Sequence, residues 1–508
     1  MTTNDLLLEI SQLKADLNAA QQQIDWFKRQ LFGRKSEKLI EPNPHQTPLF
    51  QALPAAEKTP ETEEVKSYKR RSLKHRSEDD VNDTGLRFDE TVPQKIIDIP
   101  APELEGENAD DYEVIGYKET NRLAQRIGCY EVLVYRRPVV RHIPSQTLTT
   151  PNAPDNVLGS SYADVSLLAG MMVDKAVYHL PLHRQHRRLL DSGVRVSRST
   201  MINWMKKGIE LLKPIYQAQW QHILQSTVLA MDEVPIKAGR KDKGKMQQTY
   251  YWPIYGEDNE VAFTWSRSRG HRHAVEQLTG FSGTLLTDGY AAYTKAINVL
   301  CGENDGVEIT HATCWAHSRR EFEKALTMEP DAAQQALAYI GQLYAVEKKC
   351  REDALTAEEI LALRQKHSEP IFNAFFYWVQ KQRERAELLP SNPLSKALHY
   401  VAERYHQLKI FLSNPHVPID TNHLERALRV IPMGRKNYLF CWTELGAEHL
   451  GILQSLMVTC RLQGINPYQY LVDVMQRVSL HPASEVEDLT PRVWKTKFGD
   501  NFLTSDVD

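Results

Sequence analysis

Cysteine is scarce in this chain of 508 residues: there are six, at positions 129, 301, 314, 350, 441 and 460. None forms a Cys-x-x-Cys pair, so neither a zinc ribbon nor a disulfide framework is expected, and a reduced, cytoplasmic protein fits this usage best. Long apolar runs are missing too. No stretch approaches the roughly 18 residues that would span a membrane. The start, Met1-Thr2-Thr3-Asn4-Asp5, has no basic region followed by an apolar core, so a secretory leader is not expected. Charge of one sign is also lacking. The net charge is −3, which by itself discriminates nothing.

What is present is a soluble composition, 42% hydrophobic and 25% charged, in a chain too long for one core. Charge is local. Basic residues gather at Lys69-Arg70-Arg71 with Lys74, His75 and Arg76, at His183–Arg188, and around Arg426, Arg429, Arg435 and Lys436. Such patches can bind nucleic acid on a near-neutral protein. Leu6, Ile10, Leu13, Leu17, Ala20, Ile24, Phe27 and Leu31 alternate spacings of four and three. That heptad predicts a coiled-coil helix over 1–38, a helix docked on its own protein being the plainer alternative. Prolines 42, 44, 48, 54 and 60 and mixed charges then predict a flexible basic linker over 39–85.

Short β-like runs at Lys95–Ile99, Tyr112–Ile115 and Tyr130–Tyr135 predict a small β-rich module over 86–150. Within 151–222, a helix ending at Gly193 and a second capped by Ser197 or Ser199 give the outline of a helix-turn-helix. Many helical hairpins share that outline. Arg195 and Arg198, at the start of the second helix, favour the DNA-reading version.

From 223 the period changes to that of strands. Thr227–Met231 ends on Asp232, and Gly283–Thr287 ends on Asp288. Two strands delivering carboxylates at the same end can set them side by side. Buried like charges are costly unless neutralised, and a pair of divalent ions is a common solution in phosphodiester chemistry. The order β-β-β-α-β-α-β-α over 223–328 is that of an RNase H-like core, in which the first and fourth strands are neighbours. Residues 329–417 read as an all-helical insertion. The core resumes over 418–445, and a helical region fills 446–508. The third acid belongs on a later helix. Glu425 is the first candidate, with Asp420 and Glu448 as rivals, and a surface ion pair with Arg429 is its plainer reading. Glu233 points away from Asp232 if the strand continues, so it is left out of the set. Arg435 and Lys436 could grip phosphates or be merely solvated. His317 and Arg320 follow a strand of the same sheet and are candidate DNA-binding residues; His317 could contact the scissile phosphate or be a structural histidine. Trp252, Trp265 and Trp315 read as core.

Several motifs resemble the insertion sequence 66 family of bacterial transposases. They are Asn422-His-Leu-Glu-Arg-Ala-Leu-Arg with Gly434-Arg-Lys-Asn-Tyr-Leu-Phe, Met231-Asp-Glu, Thr287-Asp-Gly-Tyr-Ala-Ala-Tyr and Cys314-Trp-Ala-His-Ser-Arg-Arg. Leu31-Phe-Gly-Arg-Lys-Ser-Glu-Lys and Asn466-Pro-Tyr-Gln-Tyr-Leu extend the resemblance toward both termini. It implies that Asp232, Asp288 and Glu425 form a DDE triad holding two Mg²⁺ ions, with Mn²⁺ able to substitute. The implied reaction is cleavage at transposon ends followed by strand transfer to target DNA. Terminal inverted repeats and target duplex are then the partners, together with a second subunit through the coil and small companion proteins of the same element, in a nucleoid-associated setting. The family's zinc module has paired cysteines, whereas 86–150 holds only Cys129, so zinc is not expected. A simple RNase H-like nuclease and an inactive, transposon-derived DNA-binding protein are the alternatives.

Overall fold

The computed structural model describes residues 87–507, apart from 89, 106–107, 127, 160, 243, 304–305 and 387. The heptad segment, the linker and the basic run at 69–76 lie outside the described residues.

After a short strand β1 (Arg87–Phe88) comes a four-stranded sheet: β2 (Gln94–Asp98), β3 (Tyr112–Arg126), β4 (Cys129–His142) and β5 (Leu148–Thr149). β3 and β4 form a far longer antiparallel hairpin than the short apolar runs predict. Pro138 does not end β4. It faces Tyr117 in β3, while β2 on the other side has already stopped at the Asp98–Arg136 pair, so its missing N–H costs no ladder bond there.

Helix α1 (Val165–Ala176) is almost wholly buried. α2 (Leu182–Asp191), strand β6 (Val194–Arg195) and α3 (Arg198–Ile223) follow. Gly193 turns the chain at φ +81°, and the Ser197 hydroxyl caps α3 by accepting from the Thr200 N–H. Arg195 lies on β6, paired with β1, rather than on the helix. Arg198 is the first residue of α3, and both side chains are exposed.

The central sheet contains β7 (Val228–Met231), β8 (Val234–Asp242), β9 (Lys245–Tyr255), β10 (Val261–Ser266), β11 (Gly283–Thr287) and β12 (Ile309–Thr313). Its order is β10-β9-β7-β11-β12, with β8 continuing β7 along β9. β7, β11 and β12 are parallel, and β9 runs antiparallel to β7 and β10. Helices α4 (His271–Leu278), α5 (Ala291–Glu303) and α6 (Trp315–Ala325) connect or follow these strands. Alternation sorts the side chains into two cores. Leu229, Met231, Trp252, Ile254 and Leu285 face one, while Val228, Ala230, Tyr251, Tyr255 and Leu286 face the other. The sheet is thus the middle layer of a multidomain α/β protein.

From 330 to 412 the chain is helical: α7 (Pro330–Glu352), α8 (Ala357–Leu363), α9 (Glu369–Arg383), α10 (Pro393–Glu403) and α11 (Tyr405–Lys409), with a short π-helical stretch before α9. Phe322, Phe372, Phe375, Trp378 and Trp315 fuse this block to the second core. Inside it, Arg364 makes two 2.8 Å bonds to Glu347 and donates to three backbone carbonyls. α12 (Asn422–Leu428) and α13 (Val430–Tyr438) return to the sheet, followed by α14 (Glu444–Leu462), α15 (Pro467–Arg477) and α16 (Pro491–Lys497). α14 covers the open edge of β10, where Ser455 Oγ accepts from the Phe263 N–H at 2.8 Å and Thr459 Oγ1 from the Val261 N–H at 3.1 Å. A Cβ at Gly451 would lie 2.7 Å from the Phe263 carbonyl oxygen, so only glycine allows this approach. No described helix is long and apolar enough to cross a membrane.

Candidate active site

β7 and β8 share one register along β9, since Met231 faces Ile254 and Val234 faces Tyr251. Asp232 and Glu233 interrupt them. Opposite Asp232 stands Pro253, whose carbonyl accepts from the Asp232 N–H at 3.4 Å and whose nitrogen has no hydrogen to return. The ladder therefore lapses at the acid, and strand alternation does not govern Glu233. This corrects the expectation that Glu233 points away. Ligand oxygens of Asp232, Glu233 and Asp288 all lie within 4.8 Å of one another. Asp288 arrives from β11, the parallel neighbour of β7, so the two strand-end aspartates are adjacent as expected.

Burial is the largest influence on Asp232 and pushes its carboxyl up to about 7, with Glu233, Asp288 and Glu425 adding repulsion. Burial also raises Glu233, against the opposing pull of Tyr293 and Arg269. Tyr293 donates its hydroxyl to Glu233 at 2.6 Å. The Arg269 guanidinium pairs with the same carboxylate and lies 4.0 Å over the Tyr290 ring. Asp232 and Asp288 have no cationic side chain bonded to them among the described residues. Asp232 Oδ1 accepts from the Glu233 N–H and Asp288 Oδ1 from the Tyr290 N–H, both at 2.7 Å.

The helical block fixes the second acid through its backbone. Tyr400 donates to the Asp288 carbonyl at 2.7 Å and Arg404 to the Gly289 carbonyl at 3.0 Å. Gly289 sits at φ +82°, and a Cβ there would strike Arg404. The extended 418–420 segment is pinned beside the end of β12, where the Trp315 N–H reaches the Ile419 carbonyl and Thr421 donates to Cys314 Sγ. That contact brings the Glu425 helix to the site. Glu425 is close enough to raise Asp232, yet it is not among the three clustered carboxylates. Both its oxygens accept from Arg320 Nη2 at 2.6 Å, and His317 Nε2 stands 4.0 Å away. Its ion partner is thus Arg320 and not Arg429. Burial, reinforced by Arg320, lowers His317.

Of the rivals, Asp420 accepts from Asn422 and Glu448 is exposed on α14. Arg435 donates to the Pro235 carbonyl at 2.6 Å, and Lys436 is exposed. No contact joins Arg195 or Arg198 to the carboxylates among the described residues. Trp252 and Trp315 are fully buried, and Trp265 is partly so. Sequence reasoning missed Glu233, Arg269 and Tyr293. The spacing of Tyr290 and Tyr293 after Asp288 was the available signal.

A cluster of half-buried carboxylates at strand ends, two of them without a bonded cation among the described residues, defines a candidate divalent-metal site in an α/β protein. The chain belongs to the IS66 transposase family: residues 160–449 match the family model described as transposase IS66 family. Residues 455–492 match the IS66 C-terminal element, and 19–97 match transposase C of IS166 homeodomain. Similar proteins from Sinorhizobium fredii include uncharacterized protein y4hP, 28% identical over 69% of this chain and 66% of that protein. Uncharacterized protein y4qI is 29% identical over 80% of this chain and 76% of its own length.

Proposed function

We propose that this chain is a DDE transposase with an RNase H-like core, in which Asp232, Asp288 and Glu425 hold two Mg²⁺ ions. The observation that carries the reading is the pair of strand-end aspartates, half-buried side by side with no cationic side chain bonded to either among the described residues. Hard carboxylate oxygens suit Mg²⁺ or Mn²⁺. Two such ions, when bound, lower the pKa of an attacking water and stabilise the oxygen that leaves.

The chain's own groups then divide the work. Asp232 and Asp288 supply fixed oxygens, the first from the ladder break opposite Pro253 and the second under Tyr400 and Arg404. Glu425, paired here with Arg320, would be the third acid to hold an ion, and Arg320 beside His317 would then be available to a phosphate. Water cleaves a phosphodiester at the transposon end, and the freed 3′-hydroxyl then attacks target DNA. No serine or tyrosine nucleophile is needed. The α2–α3 hairpin, with Arg195 and Arg198 exposed at its turn, serves as the helix-turn-helix, and Arg435 and Lys436 add backbone contacts. Segment 1–38 pairs subunits as a coil.

The test is a Mg²⁺-dependent cleavage and joining assay with purified protein and DNA carrying the ends of its own element. Cleavage with joining supports the transposase. Cleavage alone indicates a nuclease, and binding without either indicates an inactive DNA-binding protein. Activity surviving Asp288→Asn would overturn the triad.

A further inference from the structure

Beyond the carboxylates, one surface combines exposed aromatic area with unpaired positive charge. Trp442 is 69% exposed and Leu439 is 65% exposed. The Trp442 ring meets Phe440 edge-on at 5.2 Å. This segment is not a loose loop. The Cys441 N–H donates to the Lys237 carbonyl at 2.9 Å, and the Gly239 N–H donates to the Cys441 carbonyl at 3.2 Å, so it lies on β8 as a short added strand. Leu439 takes a left-handed backbone, φ +63°, which L side chains rarely adopt. The fold thus holds two large apolar side chains in water at a strained corner.

The cations lie on the strand that Cys441 joins. β8 and β9 run on past the sheet as a two-stranded ribbon. Lys237, Arg240, Lys241 and Lys245 are exposed along it, and none has an ion-pair partner among the described residues. A register shift places two buried residues, Ala238 and Gly239, between Lys237 and Arg240, so both cations stay on the exposed side. Asp242 is the one acid of this stretch. Lys436 is exposed on α13, while Arg435 ties α13 to the ribbon through Pro235. Both supports begin at the candidate active site, since β8 starts two residues after Asp232 and α13 follows the helix of Glu425.

We propose that this surface binds single-stranded DNA beside the reacting phosphate, with Trp442 stacked on an unpaired base and the β8–β9 ribbon holding the backbone. The inference rests on the transposase reading and adds the form of its substrate. A duplex offers base edges and phosphates to a protein, whereas an aromatic ring needs a base face, which only an unstacked nucleotide exposes. The ribbon cations give the charge complementarity that a phosphate backbone requires.

The test uses the full chain carrying Asp288→Asn, so that binding is read without cleavage. The probe is a short duplex with a single-stranded 3′ tail bearing 2-aminopurine at the junction. The parent protein should quench the probe on binding. Trp442→Ala should lose the quenching and about tenfold in tail affinity, while Trp442→Phe retains most of both. Lys237→Ala with Arg240→Ala and Lys241→Ala should weaken tail binding at least as much and flatten its salt dependence. Unchanged quenching and affinity in Trp442→Ala would overturn the proposal. So would a change in molar mass by light scattering with normal DNA binding, which would make the patch a contact between subunits. Cleavage by the protein with Asp288 intact is scored separately, so failure here leaves the transposase reading standing, and the reverse also holds.

Discussion

The two ends of strand β7 each gather three ionisable side chains, and the protein treats them oppositely. Before β7, His222, Asp258 and Glu260 meet at the β9–β10 turn, where Glu257 also accepts from Thr227. His222 Nδ1 lies 2.6 Å from Glu260 and its Nε2 3.6 Å from Asp258, while Arg492 Nε stands 3.4 Å from Glu260. Asp258 and Glu260 thus both face His222, and Glu260 faces Arg492 as well. After β7, Asp232, Glu233 and Asp288 share one Arg269, and it serves Glu233. The first cluster is largely neutralised by the protein, although Glu260 Oε1 has no hydrogen-bond partner, and Arg492 ties α16 to the sheet there. The second leaves two carboxylates unneutralised, which marks a place for an external cation.

The strongest way to break this comparison is to remove one carboxylate from each end. Asp288→Asn should lower DNA cleavage by about a thousand-fold or more, whereas Glu260→Gln should leave the rate within a few-fold. Equal losses in a cleavage assay would erase the distinction.

Stability should respond in the opposite sense. Arg492→Met leaves Glu260, 1% exposed, with His222 as its one remaining ion-pair partner among the described residues. It should cost about 2–3 kcal/mol, read from the urea midpoint. Asp232→Asn should raise the metal-free midpoint at pH 8, by about 1–2 kcal/mol, because a buried, repelled charge is removed. The folded carboxyl stays protonated up to about 7 against an ordinary value of 3.8. Metal-free stability should therefore fall as pH rises through that window, and the Asn variant should lack that slope.

The finest distinction is in the metal response. Mn²⁺ should raise the melting temperature by a few degrees (roughly 2–5 °C) in the parent and in Arg492→Met, but not in Asp232→Asn. Below about pH 7 the ion has to displace the Asp232 proton, so apparent affinity should fall by roughly tenfold per pH unit in a calorimetric titration.

The two clusters were not equally legible in the sequence. Asp232 and Asp288 stand out because each closes an apolar run that folds as a buried strand. The cap at Ser197, the helical block and the helix start at Asn422 follow from local chemistry in the same way. Strand β8 does not, because Lys237–Lys241 lacks apolar alternation: the ribbon leaves the sheet, paired along its length with β9 and touched on its other side by the Cys441 bridge. Glu233 was misplaced by applying alternation across a ladder that Pro253 interrupts, a fact visible only once register is known. The Arg320–Glu425 pair joins α6 to α12 across the whole helical block. No spacing rule predicts it, whereas the i+4 alternative with Arg429 was local and therefore visible. His222, Asp258 and Glu260 were likewise unreadable, since they meet through the turn and the C-terminal helices.

The cover that α14 lays over β10 has a consequence for how the chain is made. Ser455, which satisfies the Phe263 amide, is translated 192 residues after it. At ordinary elongation rates of 5–20 residues per second, β10 waits roughly ten to forty seconds with an open, hydrogen-bond-hungry edge. Glu425 emerges only shortly before that edge is closed. A ribosome-bound or truncated chain therefore carries its greatest tendency to aggregate at the stage when its third acid is still missing.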